Sequence, residues 1–225
     1  MSLKDIAVII AAMNEEKGIG PTLAELREVL GDHFCVVVDG NSSDRTVEIA
    51  KELGADVLQQ KGQGKGDAIS DALAYFDYDP KYIILTDGDF TYPSKYVLDM
   101  IEVLERSPNV GMVTGNRFNH LLTSEAMKNP FYLGNRLLAV AQLLLNGVDM
   151  NDPLTGLRVV RWKILKGWKP RSKGFDIEAE LNHRVERYGY QIQEVSVPYR
   201  SRLGEKKLKL RHGFGILRRI MAESL

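Results

Sequence analysis

Short apolar runs alternate with segments of helical periodicity through the first half of the chain, and this alternation restricts the fold more than any other feature. The apolar runs have the length of buried strands, and the segments between them repeat apolar residues at helical spacing. Such alternation predicts an α/β domain whose mostly parallel central sheet carries helices on both faces. The predicted strands are 6–11, 34–38, 57–58, 82–86 and 110–114, and the predicted helices are 19–30, 44–53, 68–76 and 96–104.

The second half is less regular, and its end differs in character from the rest of the chain. It predicts a long apolar helix, a turn, an amphipathic helix and a strand, at 131–145, 152–156, 176–188 and 192–197. A length of 225 residues suits one large domain. We therefore expect one domain at 1–205, followed by a basic amphipathic segment at 206–225.

Charge and cysteine content exclude several classes of protein. Thirty basic residues balance thirty acidic ones, so no net field attracts nucleic acid. Residues 200–219 instead carry eight Lys or Arg against the single acid Glu205, which indicates a local anionic partner. The only cysteine, Cys35, lies in an apolar strand and excludes an internal disulfide. With no secretory leader and no run of about 18 apolar residues, we expect a cytoplasmic protein.

Carboxylates and amides follow three of the predicted strands. Asn14 and Glu15 follow the first strand, Asp39 the second, and Asp87 and Asp89 the fourth. Ligands of open parallel sheets bind beyond the carboxyl ends of the strands. We therefore expect these side chains to border one crevice.

The pair Asp87 and Asp89 is the sharpest of these signals. Two carboxylates two residues apart point the same way if the strand persists, and they repel each other unless a cation joins them. Mg²⁺ or Mn²⁺ on a diphosphate needs few protein oxygens, because substrate and water supply the rest. The pattern predicts an Mg²⁺ or Mn²⁺ site at these two residues, and the alternative is a polar turn with solvated acids.

Two loops offer further contacts for a nucleotide. Asp39 could accept hydrogen bonds from a ribose or a base, while Ser43 or Asp44 caps the helix that follows. The glycine-rich loop at 62–67 fits neither the P-loop nor the Rossmann pattern. The alternative that stays is a flexible loop from which Lys65 reaches a phosphate.

Several cations are candidates for binding an anion, since arginine suits bidentate contact with phosphate oxygens. A solvated surface charge is the alternative for any single one of them. Arg136 differs, because it interrupts a long apolar helix and its charge needs a partner. The candidates are Arg117, Arg136, Arg158, Arg202 and Lys207.

Together these segments resemble family 2 glycosyltransferases, which have the Rossmann-like GT-A fold. Residues 9–16, 38–46 and 87–89 resemble the opening turn, the second turn and the metal motif of that family. A further set resembles motifs of the dolichyl-phosphate hexosyltransferases within it. This set comprises 115–117, 152–158, 174–178 and 202–208, where Lys206 replaces a serine.

The resemblance implies an inverting transfer of a hexose from UDP- or GDP-hexose to a polyprenyl (dolichyl) phosphate. It assigns the nucleoside to Glu15 and Asp39, the diphosphate to Asp87 and Asp89 through the metal, and the acceptor phosphate to Arg117, Arg136, Arg202 and Lys207. With Asn14 and Lys65 added from the loops, the predicted nucleotide-sugar set is Asn14, Glu15, Asp39, Lys65 and Asp87. A phosphomonoester is largely a dianion at pH 7, so it can attack without a general base. The metal offsets charge on the departing nucleoside diphosphate.

Two other functions stay open at this point. A soluble family 2 enzyme could glycosylate a hydroxyl of a small molecule or polysaccharide, and it would need a carboxylate base, for which Asp152 is the candidate. A nucleotide-binding regulatory module without catalysis is the other, and the intact pair Asp87 and Asp89 counts against it. The predicted catalytic set is Asp87, Asp89, Arg117 and Asp152.

The tail predicts contact with a membrane surface. Phe214, Leu217, Ile220 and Met221 share one helical face, with Arg218 and Arg219 beside it. Basic residues near an anionic bilayer contribute on the order of 1 kcal/mol each. We expect peripheral binding to the cytoplasmic face of the membrane, and the alternative is a helix that packs on the domain.

Overall fold

The structure, a computed structural model, describes residues 5–118 and 130–225. Within them the strands are β1 Ile6–Ala12, β2 Phe34–Asp39, β3 Asp56–Gln59, β4 Tyr82–Asp87, β5 Val110–Asn116, β6 Arg158–Arg161 and β7 Gln191–Ser196. The helices are α1 Glu16–Leu30, α2 Thr46–Glu52, α3 Lys65–Tyr75, α4 Tyr96–Arg106, α5 Pro130–Asn146, α6 Trp162–Leu165, α7 Ile177–Arg187 and α8 His212–Glu223.

The strands form one twisted sheet in the order β3-β2-β1-β4-β6-β5-β7. All neighbours pair in parallel except β6, which runs antiparallel to both β4 and β5. The predicted α/β class with a mostly parallel sheet is confirmed. Strand β6 and helix α6 were not predicted, because four residues with an arginine at each end show no usable periodicity.

Both faces of the sheet are buried, as the continuous apolar runs predict. Alternate residues of β1 divide between two cores: Val8 and Ile10 face α1 and α4, and Ala7 and Ile9 face α3 and α7. Cys35 belongs to the first core and is a buried free thiol, as predicted. The two cores fix the sheet, so the loops at its carboxyl edge stand on a rigid base.

Helices α5 and α8 pack together beside α7 and enclose a smaller apolar cluster. Ile216 and Ile220 of α8 are buried there against Leu138. Phe214 and Met221, which share the predicted membrane face with Ile220, are instead exposed. The sequence prediction is therefore corrected for Ile220, since the geometry of α8 turns that residue into the domain. None of the described helices combines the length and apolar character needed to cross a bilayer.

Candidate active site

The carboxyl ends of β1, β2 and β4 lie side by side. The register places Asp39 opposite Ala12 and Asp87 opposite Ala11, so β1 lies between the two carboxylates at one level of the sheet. Because parallel strands end at the same edge, the loops after them share one crevice. The expectation that Glu15, Asp39 and Asp87 follow neighbouring strand ends is met.

Asn14 joins the loop after β1 to the loop after β2. Its backbone has a φ of 52°, a left-handed conformation that asparagine tolerates better than most residues. Its side-chain Oδ1 accepts from the Ser43 backbone N–H at 2.8 Å, and its own N–H donates to Ser42 Oγ at 2.8 Å. The carboxylate of Asp44 accepts from the Thr46 N–H at 3.0 Å, in the first turn of α2. These bonds hold both loops in one arrangement.

Asp39 is buried, and its carboxylate stabilises the loop that follows β2. Its carboxylate accepts from the Ser42 N–H at 3.1 Å and from Gln59 Nε2 at 3.2 Å. A ribose or base at Asp39 would share oxygens with these donors. The residue is thus part of the floor of the crevice, and its contact with a nucleoside stays a prediction.

Asp87 presents one free carboxylate oxygen at the end of β4. Oδ1 accepts from Lys65 Nζ at 2.7 Å, whereas no donor among residues 5–118 and 130–225 bonds to Oδ2. A Cβ at Gly156 would lie 2.2 Å from that Oδ2, so only glycine lets this loop approach. Burial acts to raise the pKa of Asp87, but Lys65, Arg202 and Arg117 outweigh it and hold that pKa below its ordinary value. Asp87 is therefore a carboxylate at neutral pH.

Lys65 contacts two carboxylates, Asp87 and Glu178, each at 2.7 Å. Burial acts to lower the pKa of Lys65, but these carboxylates outweigh it and raise that pKa above its ordinary value. The backbone at Gly66 packs closely against the Ser172 carbonyl, since a Cβ at Gly66 would lie 2.0 Å from that oxygen. The ammonium group of Lys65 is thus shared between two carboxylates. Its predicted contact with a phosphate stays a prediction.

Asp89 is completely engaged by protein groups. Oδ1 accepts from the N–H and hydroxyl of Thr91, at 3.1 and 2.6 Å, and Oδ2 accepts from Arg202 Nε at 2.6 Å. Strand β4 ends at Asp87, so the strand geometry that would align the two carboxylates does not extend to Asp89. Arg202 contacts Asp89, and both Asp89 and Asp87 raise the pKa of Arg202 against the lowering effect of burial.

Asp87 can offer Oδ2, which has no donor among the described residues, to a divalent cation that arrives on a diphosphate. A metal at Asp89 Oδ2 would compete with Arg202. In the part of the chain that the structure describes, no group of three or more His, Cys, Asp or Glu side chains is arranged to hold a metal. Mg²⁺ bound through one or two carboxylates plus substrate phosphates needs no such cage.

Arg117 is held in place by Asp152. The guanidinium makes two contacts with the carboxylate, each 2.7 Å long, and the Arg117 backbone N–H adds a third at 3.1 Å. Asn135 Nδ2 donates to the same carboxylate at 3.1 Å, and Glu194 accepts from the Asp152 N–H at 2.8 Å. The Asp152 side chain has no exposed surface. In this geometry Asp152 holds the Arg117 guanidinium in place, and its predicted role as a base stays a prediction.

Arg158 is removed from the set of anion-binding candidates. It is buried, and it donates to the carbonyl oxygens of Pro153 and Thr155 at 2.7 and 3.0 Å and to Asn182 Oδ1 at 2.5 Å. These contacts shape the loop before β6. The arginine therefore stabilises the loop that carries Gly156.

The 200–207 segment lies across the crevice. Its backbone is anchored by the Arg200 N–H on the Thr91 carbonyl at 3.0 Å and by the Leu203 N–H on the Asp89 carbonyl at 3.1 Å. The predicted acceptor cations Arg202 and Lys207 thus lie next to the predicted donor site. This proximity is a finding of the tertiary structure, because the segment is more than one hundred residues from β4 in sequence.

Glu15 is the second carboxylate that the segment covers. Lys207 Nζ bonds to Glu15 Oε1 and, at 3.3 Å, to the Asn14 carbonyl, while Arg202 lies 3.8 Å from the same Oε1. Burial, with a smaller effect of Asp89, raises the pKa of Glu15, and the two cations only partly offset it. The other oxygen, Oε2, is buried without a hydrogen-bond donor among the described residues.

Two arginines from separate segments, Arg117 and Arg202, act electrostatically on both Asp87 and Lys206. Arg117 and Arg202 both lower the pKa of Asp87, and both, after burial, lower the pKa of Lys206. Lys206 Nζ also lies 3.0 Å from the centroid of the Phe131 ring. We call Arg117, Arg202 and Lys206 the cation cluster. Lys206 was not among the predicted site residues, and its replacement of a serine in the 202–208 motif was the available signal.

Arg136 does not belong to the cation cluster by any contact of the described residues. It is exposed on α5 and donates to Asn151 Oδ1 at 3.0 Å. Its charge therefore has a polar partner in Asn151, on a face of the apolar helix that is turned to solvent. Its predicted contact with the acceptor stays a prediction.

The sheet order and the carboxylates at its carboxyl edge define a GT-A glycosyltransferase. Residues 7–163 match the family described as glycosyl transferase family 2. The chain belongs to this family. Family and fold therefore agree with the resemblance that the motifs carry, and the chain is a glycosyltransferase.

Several relatives extend this comparison. The chain is 34% identical over 206 residues to the dolichyl-phosphate hexose transferase of Haloferax volcanii, covering 91% of this chain and 86% of that protein. It is 26% identical over 231 residues to the dolichol-phosphate mannosyltransferase of Pyrococcus furiosus, covering 96% of this chain and 62% of that protein. It spans 62% and 50% of two further Haloferax volcanii relatives, glycosyltransferase AglJ and hexosyltransferase Agl6.

A solved structure shares the fold. Glucosyl-3-phosphoglycerate synthase from Mycobacterium tuberculosis, in complex with Mn²⁺, UDP-glucose and phosphoglyceric acid, superposes with a TM-score of 0.76 at 21% identity. The match covers 98% of this chain and 80% of that one. At this identity the likeness establishes the fold alone.

Proposed function

We propose that the protein is an inverting hexosyltransferase that moves a hexose from a nucleotide sugar to a polyprenyl (dolichyl) phosphate. The observation that carries the proposal is the cation cluster, in which Arg202 contacts Asp89 and both arginines act electrostatically on Asp87. An anionic acceptor bound there would meet the donor. The similarity to a dolichyl-phosphate hexose transferase over most of both chains supports the same acceptor. Arginine presents a planar fork that matches phosphate oxygens, which favours a phosphate over a neutral group.

The donor side would use the carboxylates at the strand ends. Asp87 and Asp89 would hold Mg²⁺ or Mn²⁺, which offsets the charge that develops on the nucleoside diphosphate leaving group. Asn14, Glu15 and Asp39 border the adjoining loops and would contact the nucleoside of a UDP- or GDP-hexose. Asp89 exchanges Arg202 for the metal in this proposal, and Arg202 then becomes available to an acceptor anion.

The acceptor side would need no general base. A phosphomonoester is largely a dianion at pH 7, and one of its oxygens can attack the anomeric carbon directly. The new C–O bond forms as the bond to the diphosphate breaks, so an α-linked donor gives a β-linked product. Arg117, fixed by Asp152, would hold the attacking phosphate in line. The burial of Asp152 is compatible with a reaction that does without a base.

A hydroxyl acceptor is the second candidate. The glucosyl-3-phosphoglycerate synthase of Petrotoga mobilis is 28% identical over 206 residues, covering 83% of this chain and 62% of that protein. A small phosphorylated acceptor could place its phosphate on the same cation cluster. Its hydroxyl would need a base, and the burial of Asp152 counts against that residue in this role.

Labelled UDP-glucose and GDP-mannose offered with dolichyl phosphate should give label in the organic phase. The cation cluster recognises charge, so free dolichol should give at least about a hundredfold less product. The same donors offered with 3-phosphoglycerate should leave the label on the donor. Transfer to 3-phosphoglycerate or to free dolichol at the rate of dolichyl phosphate would move the protein to the hydroxyl-acceptor function.

We also propose that the protein binds peripherally to the cytoplasmic face of a membrane, where a lipid acceptor would be presented. Leu133, Leu137, Val140 and Leu144 recur at helical spacing on α5, and all four are exposed. Phe214 on the adjacent helix α8 is 81% exposed. A group of neighbouring exposed apolar side chains suits an interaction surface. Exposed basic residues of the tail, Lys209, Arg211 and Arg218, suit an anionic bilayer.

Co-sedimentation with phosphatidylserine vesicles should detect this binding at low salt and show it weaken as salt increases. The double variant Leu144→Glu/Phe214→Glu should bind at least about tenfold more weakly, since it places two anions on the apolar face. Point variants are preferable to deleting the tail, because Ile216 and Ile220 are buried and their loss would disturb packing. Leu98→Glu, at an exposed site on α4, is the matched control. Equal binding by both variants would place α5 and α8 away from the membrane.

A further inference from the structure

Lys65 lies between two acids, and only one of them is at the predicted metal site. Its ammonium is 2.7 Å from Asp87 Oδ1 and 2.7 Å from Glu178 Oε1. The Glu178 side chain is only 7% exposed, and its second oxygen, Oε2, is buried without a hydrogen-bond donor among the described residues. A buried carboxylate with half of its acceptor capacity unmet is costly, so its retention here needs a reason.

We infer that Glu178 is a positioning residue that acts through Lys65 and sets the negative charge that Asp87 offers to a divalent cation. The inference rests on the proposed metal site at Asp87. With Glu178 present, the three side chains carry one net negative charge. Without it, Lys65 and Asp87 form a neutral pair, and a cation would have to compete with the whole charge of the lysine.

The fold holds this arrangement from two directions. Lys65 is the first residue of α3, a helix end that favours anions over cations, so a lysine there needs nearby carboxylates. Close packing of Gly66 on Ser172 sets α3 against the loop that precedes α7. Glu178 lies in the first turn of α7, where the helix end favours its charge. Both partners of Lys65 therefore stand on regular elements, Asp87 at the end of β4 and Glu178 in α7.

The charges predict a reciprocal pattern of metal affinities. Glu178→Gln keeps the shape and leaves an acceptor for Lys65, but it gives Asp87 the whole charge of the lysine. An opposite charge within about 4–6 Å weakens the binding of a proton to a carboxylate about tenfold or more. We expect a similar effect on a metal cation, so Mn²⁺ should bind about tenfold more weakly. The double variant Lys65→Met/Glu178→Gln removes both members, and its Mn²⁺ affinity should return to the wild-type value or exceed it.

Binding is measured from the EPR signal of free Mn²⁺ titrated into the protein with UDP, and again with GDP. The matched control is Glu180→Gln, since Glu180 is also buried on α7 but accepts from the Arg171 and Ser172 backbone N–H groups. This control should lower Tm and leave the Mn²⁺ affinity unchanged. A merely structural role of Glu178 would lower Tm without the recovery in the double variant.

Wild-type affinity in Glu178→Gln would overturn the inference while leaving the metal site intact. Equal loss of affinity in the single and double variants would also overturn it, because charge sharing requires recovery. Absence of Mn²⁺ binding to the wild type with either nucleotide would remove the proposed metal site itself, and the inference with it. The wild-type titration thus separates failure of the proposed function from failure of the role of Glu178.

Discussion

Asp87→Asn and Asp89→Asn should each abolish hexosyl transfer while the fold remains intact. Each substitution removes a charged oxygen from the proposed metal site, and loss of one such electrostatic group costs roughly a hundred- to a thousandfold in kcat. Asparagine keeps the size of the side chain, and Lys65 keeps its second partner Glu178 when Asp87 is changed. Activity of the wild type should vanish with EDTA and return on addition of Mg²⁺ or Mn²⁺.

The measurement is label transfer to dolichyl phosphate, accompanied by thermal unfolding of each variant. Asp99→Asn, at an exposed position on α4, controls for the substitution and should retain wild-type activity. Full turnover in EDTA would contradict the metal hypothesis. An inactive variant with a strongly reduced Tm would be uninformative on its own, so the EDTA experiment with wild-type protein carries the decision.

Arg117→Ala and Arg202→Ala should lose acceptor efficiency by about ten- to a hundredfold in kcat/KM. A hydrogen bond to a charged group contributes roughly 1.5–3 kcal/mol, which corresponds to that range. The donor KM should change little in Arg117→Ala, because the side-chain hydrogen bonds of this arginine go to Asp152. Arg202→Ala should in addition bind Mn²⁺ more tightly, because Asp89 Oδ2 is released.

Kinetics with both substrates, together with Mn²⁺ titration, separate these effects. Arg27→Ala, an exposed arginine on α1, is the control for loss of a surface charge. Arg136→Ala decides between the motif resemblance, which assigns this residue to the acceptor, and the structure, which leaves it exposed beside Asn151. Loss of donor efficiency alone in Arg117→Ala would refute the assignment of the cation cluster to the acceptor.

The sequence predicts most of the fold because buried strands and helices carry characteristic patterns of apolar residues along the chain. A strand buried on both faces must be apolar throughout, and a helix on the sheet must repeat apolar residues at its own period. Every element predicted in the first half is present, and most of the bounds differ by only a few residues. Strand β6 has no such pattern, since it contains only two apolar residues between Arg158 and Arg161. Its antiparallel insertion between β4 and β5 could not be read from the pattern.

For the candidate site, too, one part follows from the sequence and another part only from the tertiary structure. The sequence by itself determined which carboxylates stand at the edge of the sheet, because the residue after a buried strand is fixed by local order along the chain. Only the tertiary structure decided their partners. Arg202 reaches Asp89 across 113 residues, and Lys65 shares its charge with Glu178 on another helix. Ion pairs form between any opposite charges that the fold brings within a few ångströms, and they impose no periodicity on the chain. The position of these carboxylates could thus be predicted from the sequence, whereas the ion pairs around them arise from the packing of distant segments.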